Sequence, residues 1–211
     1  GFRALCKNTT GCQNTAVGTA TMRDNTTGCL NVAIGYRALD NNTTAINNTA
    51  VGADALFANT TASGNTGVGK DSLKDNTTGS NNSAFGENAL SNNTTASNNT
   101  AVGQNSSLTS TTAQQNVSVG HDSMRCTTTG SSNVAVGYDS LHNNTTAANN
   151  TAVGHTSLCA NTTGANNVAV GKDALFTNTT GASNVALGQQ SLKVNTTASG
   201  NTAIGSNSMN C

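Results

Sequence analysis

Residues 48–64 read Asn-Thr-Ala-Val-Gly-Ala-Asp-Ala-Leu-Phe-Ala-Asn-Thr-Thr-Ala-Ser-Gly, and this pattern returns every 17 residues along the chain. The asparagines that begin the repeats are Asn14, Asn31, Asn48, Asn65, Asn82, Asn99, Asn116, Asn133, Asn150, Asn167, Asn184 and Asn201. A fixed period without insertions is typical of proteins whose repeats contact only their neighbours. We therefore expect successive units to stack, with like residues forming columns.

The composition of the unit decides between helical and β repeats. Positions are counted here from 1 to 17, starting at the leading asparagine. Each unit contains β-branched residues, glycine and Asn-Thr-Thr, which are poor helix formers. The pattern instead favours short strands separated by turns at Gly and Asn. The sequence predicts an all-β fold, a single parallel β-solenoid (β-roll or β-helix) of about twelve coils. The one predicted domain, 1–211, has partial coils at 1–13 and 201–211 and eleven full repeats at 14–200.

Positions 4 and 9 carry the large apolar side chains of each unit, so they are the predicted core. Because the leading asparagine is present in every copy, we interpret it as an inward or turn-facing amide ladder. At one place Ser107 occupies position 9 with Leu108 beside it, which predicts a one-residue bulge. The predicted core residues are Val17, Ile34, Val51, Leu39, Leu56 and Leu73.

The charge balance excludes several classes of function. Nine basic and nine acidic residues give a net charge of zero, with no basic stripe to neutralise phosphates, so nucleic acid is not an expected partner. The apolar runs are far shorter than the roughly 18 residues that a membrane span needs. Unpaired strand edges at the ends of a coil stack tend to pair with other strands. We therefore expect self-association into a head-to-tail polymer.

Six cysteines without Cys-x-x-Cys spacing favour disulfides in an oxidising compartment. Cys12 and Cys29 fall at position 16 of consecutive coils, within disulfide range, and are the predicted intrachain pair. Cys6 and Cys211 fall at positions 10 and 11 of the first and last coils. Head-to-tail stacking would bring these two together, which predicts an interchain disulfide.

Cys126 and Cys159 lie two coils apart, too far for a direct bond in a regular stack. His142 occupies the coil between them and completes a Cys-His-Cys column. A metal site is one interpretation of this column. Free thiols, or contacts with a neighbouring filament, are the interpretations that we favour.

Position 12 is an asparagine in ten of the copies, and each begins an Asn-x-Thr sequon. Replacement of the asparagine by Ser110 and Thr127 predicts an exposed turn, where N-linked glycans could attach. Both following threonines persist where the sequon is lost, so the Thr pair has a structural role of its own. The candidate glycosylation sites are Asn8, Asn25, Asn42, Asn59, Asn76, Asn93, Asn144, Asn161, Asn178 and Asn195.

The sequence offers little for catalysis. His121, His142 and His155 lie at the variable positions 6 and 10, and no Ser or Cys nucleophile is paired with a base. We predict no enzyme activity and no catalytic, cofactor-binding or metal-ligating residue. The variable positions 6, 7, 10 and 11, with Tyr36 and Arg37 as examples, form the surface that could encode specific binding.

Residues 31–35 (Asn-Val-Ala-Ile-Gly), 133–137 (Asn-Val-Ala-Val-Gly) and 201–205 (Asn-Thr-Ala-Ile-Gly) resemble the head repeats of trimeric autotransporter adhesins of the YadA type. The longer phrase from 48 to 61 is similar to repeat arrays of tail-fibre and other surface proteins. This resemblance implies a left-handed parallel β-roll, usually trimeric, that displays binding surfaces outside the cell.

These observations predict a structural fibre, filament or stalk protein that assembles by end-to-end stacking. We expect it outside the cell or at the cell surface, coated with glycans and adhesive as a second role. The alternative is an ice-binding β-solenoid that uses Thr ladders. Adjacent threonines in a strand point to opposite faces, so Thr-Thr offers only one outward rank.

Overall fold

The computed structural model describes residues 1–209, and every regular element in that range is a short β-strand. The predicted fold class, an all-β parallel β-solenoid with one 17-residue coil per repeat, is confirmed. Its strands are β1 (Thr15–Val17), β2 (Val32–Ile34), β3 (Thr49–Val51), β4 (Thr66–Val68), β5 (Ser83–Phe85), β6 (Thr100–Val102), β7 (Val117–Val119), β8 (Val134–Val136), β9 (Thr151–Val153), β10 (Val168–Val170), β11 (Val185–Leu187) and β12 (Thr202–Ile204).

The coils group into two compact units, Gly1–Asn105 and a second that begins at Ser106. In the first unit β1 to β6 pair in chain order, all parallel, and Ala16 lies opposite Ala33. In the second unit β7 to β12 pair in the same way. Each residue pairs with the residue 17 further on, so like positions do form columns within each unit.

A glycine at position 5 ends each strand. Gly69 has a φ of +132°, a conformation that other residues rarely adopt. A Cβ built on Gly69 would lie 2.4 Å from the carbonyl oxygen of Gly86 in the next coil. Stacked glycines therefore pack backbone against backbone, and no side chain fits between them.

The chain then turns through two left-handed residues, at positions 7 and 9. Asp54 has a φ of 56° and Leu56 a φ of 52°, and the same pair of angles recurs in the other coils. A left-handed leucine costs roughly 1–2 kcal/mol. Complete burial of the leucine side chain contributes about 1.5–3 kcal/mol and offsets this cost. The conformation turns the position 9 side chain into the coil.

The core consists of position 9 together with the small residues at positions 3 and 8. Leu39, Leu56 and Leu73 are fully buried, which confirms their prediction as core. The prediction for position 4 is wrong. Val17 and Ile34 are exposed and Val51 is half-buried, because alternation along a three-residue strand turns only position 3 inward. The space behind the strand admits alanine, and the larger side chains remain outside.

Two columns of asparagine amides complete the interior. The backbone N–H of Asn48 donates to the side-chain Oδ1 of Asn31 (2.9 Å). The same bond repeats along position 1, which confirms the predicted ladder. At position 12, Nδ2 of Asn42 donates to Oδ1 of Asn25 (2.7 Å). The carbonyl oxygen of Ala45 accepts from Nδ2 of both Asn31 (2.8 Å) and Asn42 (3.2 Å). Stacking thus satisfies most of the buried amides, as burial requires. The ladder is interrupted where Ser110 replaces asparagine, and there Oδ1 of Asn93 and Oγ of Ser110 have no hydrogen-bond partner.

The one-residue bulge predicted at Ser107 is wrong. Ser107 has the φ of 51° typical of position 9, and its N–H donates to the carbonyl of Ser123 at 2.9 Å. Leu141 makes the equivalent bond to Ser157, also at 2.9 Å. The stacked backbone fixes the register, so serine simply takes the buried slot and Leu108 stays at position 10, half-buried.

Candidate functional site

The outward side of the strands is the candidate functional surface, and we call the side chains at positions 2 and 4 the strand face. Position 2 carries Thr, Val or Ser, and position 4 carries Val, Ile, Phe or Leu. None of the twelve strands has a charged residue at either position. Each unit therefore presents two parallel ranks of uncharged, mostly β-branched side chains.

Exposure is greatest along position 4. The exposed fraction is 55% for Val17, 42% for Phe85 and 69% for Ile204. Adjacent strands lie about 4.8 Å apart, and residues two apart along a strand are separated by about 6.6 Å. Within each unit the strand face is consequently a regular array, since every coil contributes the same two positions.

A second exposed rank runs along position 14. At position 13, Oγ1 of Thr26 donates to the carbonyl of Thr43 (3.0 Å), and Oγ1 of Thr43 donates to that of Thr60 (3.1 Å). These hydroxyls are occupied in holding coils together. Position 14, for example Thr44 and Thr95, is exposed. The Asn-Thr-Thr column therefore offers a single outward rank, as predicted.

The exposed turn predicted at position 12 is wrong, because the sequon asparagines form the position 12 ladder, and glycosylation itself stays a prediction. Of the ten candidates, Asn8 and Asn195 are half-buried and have the same bonds as the rest. The Nδ2 atom, where a glycan would attach, is a hydrogen-bond donor inside the coil. The fully buried members of the set are Asn25, Asn42, Asn59, Asn76, Asn93, Asn144, Asn161 and Asn178.

Cys12 and Cys29 come together at an exposed corner of consecutive coils. Their Sγ atoms lie 2.8 Å apart, both side chains being free thiols in this structure. The predicted proximity is present, and the disulfide itself stays a prediction. Cys6 is an exposed free thiol, and its predicted partner Cys211 lies outside the described residues.

The Cys-His-Cys column does not converge on a common point. Nδ1 of His142 lies 2.9 Å from Oδ1 of Asp139, and burial raises the pKa of Cys126. Burial also raises the pKa of Cys159, to about 11. Among residues 1–209 no three or more His, Cys, Asp or Glu side chains are grouped so that they could hold a metal ion. The raised pKa values keep these two half-buried thiols protonated at neutral pH.

At the variable positions 6, 7 and 10, stacking brings aromatic rings and charged side chains of different coils into contact. In the second unit the ring of Tyr138 stacks between His121 (centroids 5.5 Å apart) and His155 (5.2 Å). In the first unit the Arg37 guanidinium lies over the Phe57 ring, 4.4 Å from its centroid. The column of His121, Tyr138 and His155 could be found from the sequence by reading every seventeenth residue. The contact of Arg37 with Phe57 could not, because these residues are 20 apart and occupy different positions of the repeat.

The comparisons with known proteins return no relatives: no protein-family model, no curated protein and no solved structure matches the chain. In the described part of the chain no helix has the length and apolarity needed to cross a membrane.

Proposed function

We propose that the chain is a structural protein that self-assembles through its strand face, outside the cell or at the cell surface. The observation that carries this proposal is the uncharged array at positions 2 and 4, whose side chains are exposed or half-buried. A sheet face in contact with water usually alternates polar residues outward. Here alanine faces inward and valine faces outward, so the apolar side chains are placed where they can contact a partner.

A second copy of the chain is the partner that this surface suits. Within each unit every coil offers the same two positions at the same spacing, so a copy laid alongside that unit meets a matching uncharged array. The regular arrangement of identical interfaces is the basis of homo-oligomers such as the trimer and filament considered above. End-to-end stacking stays a separate prediction, independent of the strand face.

Paired lysine substitutions test the proposal by light scattering coupled to gel filtration. Ile34→Lys with Phe85→Lys places charge on the strand face, and we expect it to convert a multimer into monomers. Thr44→Lys with Thr95→Lys charges the exposed position 14 of the same two coils and should leave the multimer intact. A wild-type chain that stays monomeric at every accessible concentration would contradict self-association through this face.

Ice binding is the second candidate, favoured by the same two outward ranks. The sequence predicts the threonine ladder as the ice-binding surface, yet the strand face is the more extensive array, with Thr, Val or Ser at position 2 and Val, Ile, Phe or Leu at position 4 of every coil. A flat, uncharged, regularly spaced surface can order water on itself. Thermal hysteresis in a monomeric wild type, abolished by Ile34→Lys with Phe85→Lys and kept by Thr44→Lys with Thr95→Lys, would decide for this function.

A further inference from the structure

The pair of thiols at position 16 is arranged for chemistry that the strand face does not explain. Sγ of Cys12 lies 2.8 Å from Sγ of Cys29, and the backbone N–H of Cys12 donates to Sγ of Cys29 at 3.0 Å. The N–H of Leu30 donates to the carbonyl of Cys12 (3.1 Å), which fixes the two coils beside the pair. Sγ of Cys29 therefore accepts one backbone hydrogen bond, and either sulfur can be the donor in the contact between the two thiols. Sγ of Cys29 also lies 3.5 Å from the carbonyl oxygen of Thr27, to which its thiol can donate.

This asymmetry separates the roles of the two thiols. The hydrogen bonds from the Cys12 side chain and from its backbone N–H lower the pKa of Cys29. The same hydrogen bond to Cys29 raises the pKa of Cys12, whose proton it uses. The thiolate is the reactive form of cysteine. The lowered pKa and the backbone N–H directed at its sulfur both favour Cys29 over Cys12 as the thiol that forms the thiolate.

The remaining described cysteines lack this arrangement and serve as internal references. Cys6 is exposed, and its thiol lies 3.7 Å from the carbonyl of Arg23, with no second sulfur beside it within residues 1–209. Cys126 and Cys159 are partly buried, and burial raises the pKa of both thiols. Among residues 1–209, a thiol that solvent can reach, a second sulfur beside it and a backbone N–H directed at sulfur occur together only at Cys12 and Cys29.

We propose that Cys29 and Cys12 form a thiol–disulfide exchange site for small disulfides of the glutathione class, with Cys29 attacking and Cys12 resolving. The Cys29 thiolate forms a bond to one sulfur of glutathione disulfide, the disulfide bond breaks, and one glutathione leaves as a thiolate that takes up a proton. Cys12 then loses its proton and attacks Sγ of Cys29. The mixed disulfide breaks and the second glutathione leaves, protonated.

The balance of this reaction is one protein dithiol and one glutathione disulfide giving one protein disulfide and two glutathiones. The protein loses two electrons and two protons, and glutathione disulfide gains them. The product bond joins two consecutive coils across a 17-residue separation, so oxidation fastens these coils covalently.

Mass spectrometry with peptide mapping of the full chain, incubated with glutathione disulfide, tests the proposal. In the wild type we expect a Cys12–Cys29 disulfide and no lasting adduct on either residue. In Cys12→Ser the resolving step is lost, so the glutathione adduct on Cys29 should persist. In Cys29→Ser, Cys12 should be modified no faster than Cys6.

Two results would overturn the proposal. One is a wild-type chain in which Cys12 and Cys29 keep separate glutathione adducts. The other is a Cys12→Ser chain in which Cys29 reacts no faster than Cys6. The wild-type map needs no substitution, so it remains decisive if a variant fails to fold, and circular dichroism shows whether the variants keep the wild-type β structure.

Discussion

At the residue scale, the stability of this protein depends on asparagine as much as on leucine. A carboxamide can donate and accept along one column, so stacking satisfies it without water. The asparagines at positions 1 and 12 exploit this property, and their amides are closed off from solvent. The hydrogen-bonded ladder is sufficient to explain an Asn-x-Thr sequence in such a column, so the sequence there is not evidence of glycosylation.

Adjacent asparagines with opposite burial give a direct test of the ladder. Asn144 is buried, accepts from Nδ2 of Asn161 (3.1 Å) and donates to the carbonyl of Ala147 (3.1 Å), whereas Asn143 is exposed. Asn144→Ala leaves these groups without a partner and should lower the free energy of unfolding by about 1–3 kcal/mol. Asn143→Ala should change it by less than about 0.5 kcal/mol. Urea denaturation followed by circular dichroism measures both, and equal losses would contradict the ladder.

Two neighbouring carboxylates predict opposite effects of pH. Burial raises the pKa of Asp40 despite the guanidinium of Arg23 3.2 Å away, so its ionised form costs stability above the raised pKa. The Lys7 ammonium holds the pKa of Asp24 below its ordinary value, so Asp24 contributes stability at neutral pH that disappears as pH falls through its folded pKa.

The stabilities of the Asp40→Asn and Asp24→Asn variants should therefore differ from each other at neutral pH and become similar in acid. We expect Asp40→Asn to be at least as stable as the wild type at pH 7, and its advantage to shrink as the pH is lowered and the wild-type carboxyl protonates. Asp24→Asn should be less stable at pH 7 and approach the wild type in acid. Unfolding curves over a pH series measure this, and parallel curves for the two variants would refute the assignment.

At the scale of the element, each strand is defined by what stops it. Three residues are too few to form a stable strand alone, and their pairing with the next coil supplies the order. The position 5 glycine ends the strand because its φ and the close approach of the next carbonyl admit only hydrogen at Cα.

Two glycines of the second unit separate the effect of the positive φ from the effect of the close carbonyl. A Cβ on Gly171 would lie 2.5 Å from the carbonyl oxygen of Gly188, whereas a Cβ on Gly200 meets nothing within 4 Å. Both have positive φ, of +132° and +75°. Gly200→Ala should cost roughly 1–2 kcal/mol for the left-handed backbone. Gly171→Ala must also move the backbone and should cost more. Thermal unfolding compares the two, and a Gly200→Ala loss equal to or above that of Gly171→Ala would contradict this account of position 5.

At the scale of the whole molecule, each coil is stabilised by its contacts with the neighbouring coils. Backbone, amide and leucine columns all run between consecutive coils, so stability in each unit is a sum of nearest-neighbour interactions. Damage in one coil is consequently felt most by the coils that contact it.

Leu73→Ala tests this locality. Leu73 follows β4 and precedes β5 in the sequence, and its side chain is fully buried. Its truncation should lower the free energy of unfolding by about 2–5 kcal/mol. Hydrogen exchange should accelerate most at amides of β4, β5 and their flanking turns, and least at β10 and β11. The conservative Leu73→Met serves as the control, since methionine occupies this position at Met22 and Met124. A uniform rise in exchange along the chain would show one cooperative unit instead.

The sequence by itself determined the period, the β-solenoid, the register of the columns and the proximity of Cys12 and Cys29. These follow from a repeat of constant length, since stacking units of equal length must place like residues one above another. Only the tertiary structure decided which side of each strand is inside. Hydrophobicity favours burial of valine over alanine, yet the narrow space behind the strand fits Ala33 and excludes Ile34. The closure of the coil also buried the sequon asparagines and turned the apolar ranks outward, because those outcomes depend on the distance between opposite walls of the coil, which residue types alone do not specify.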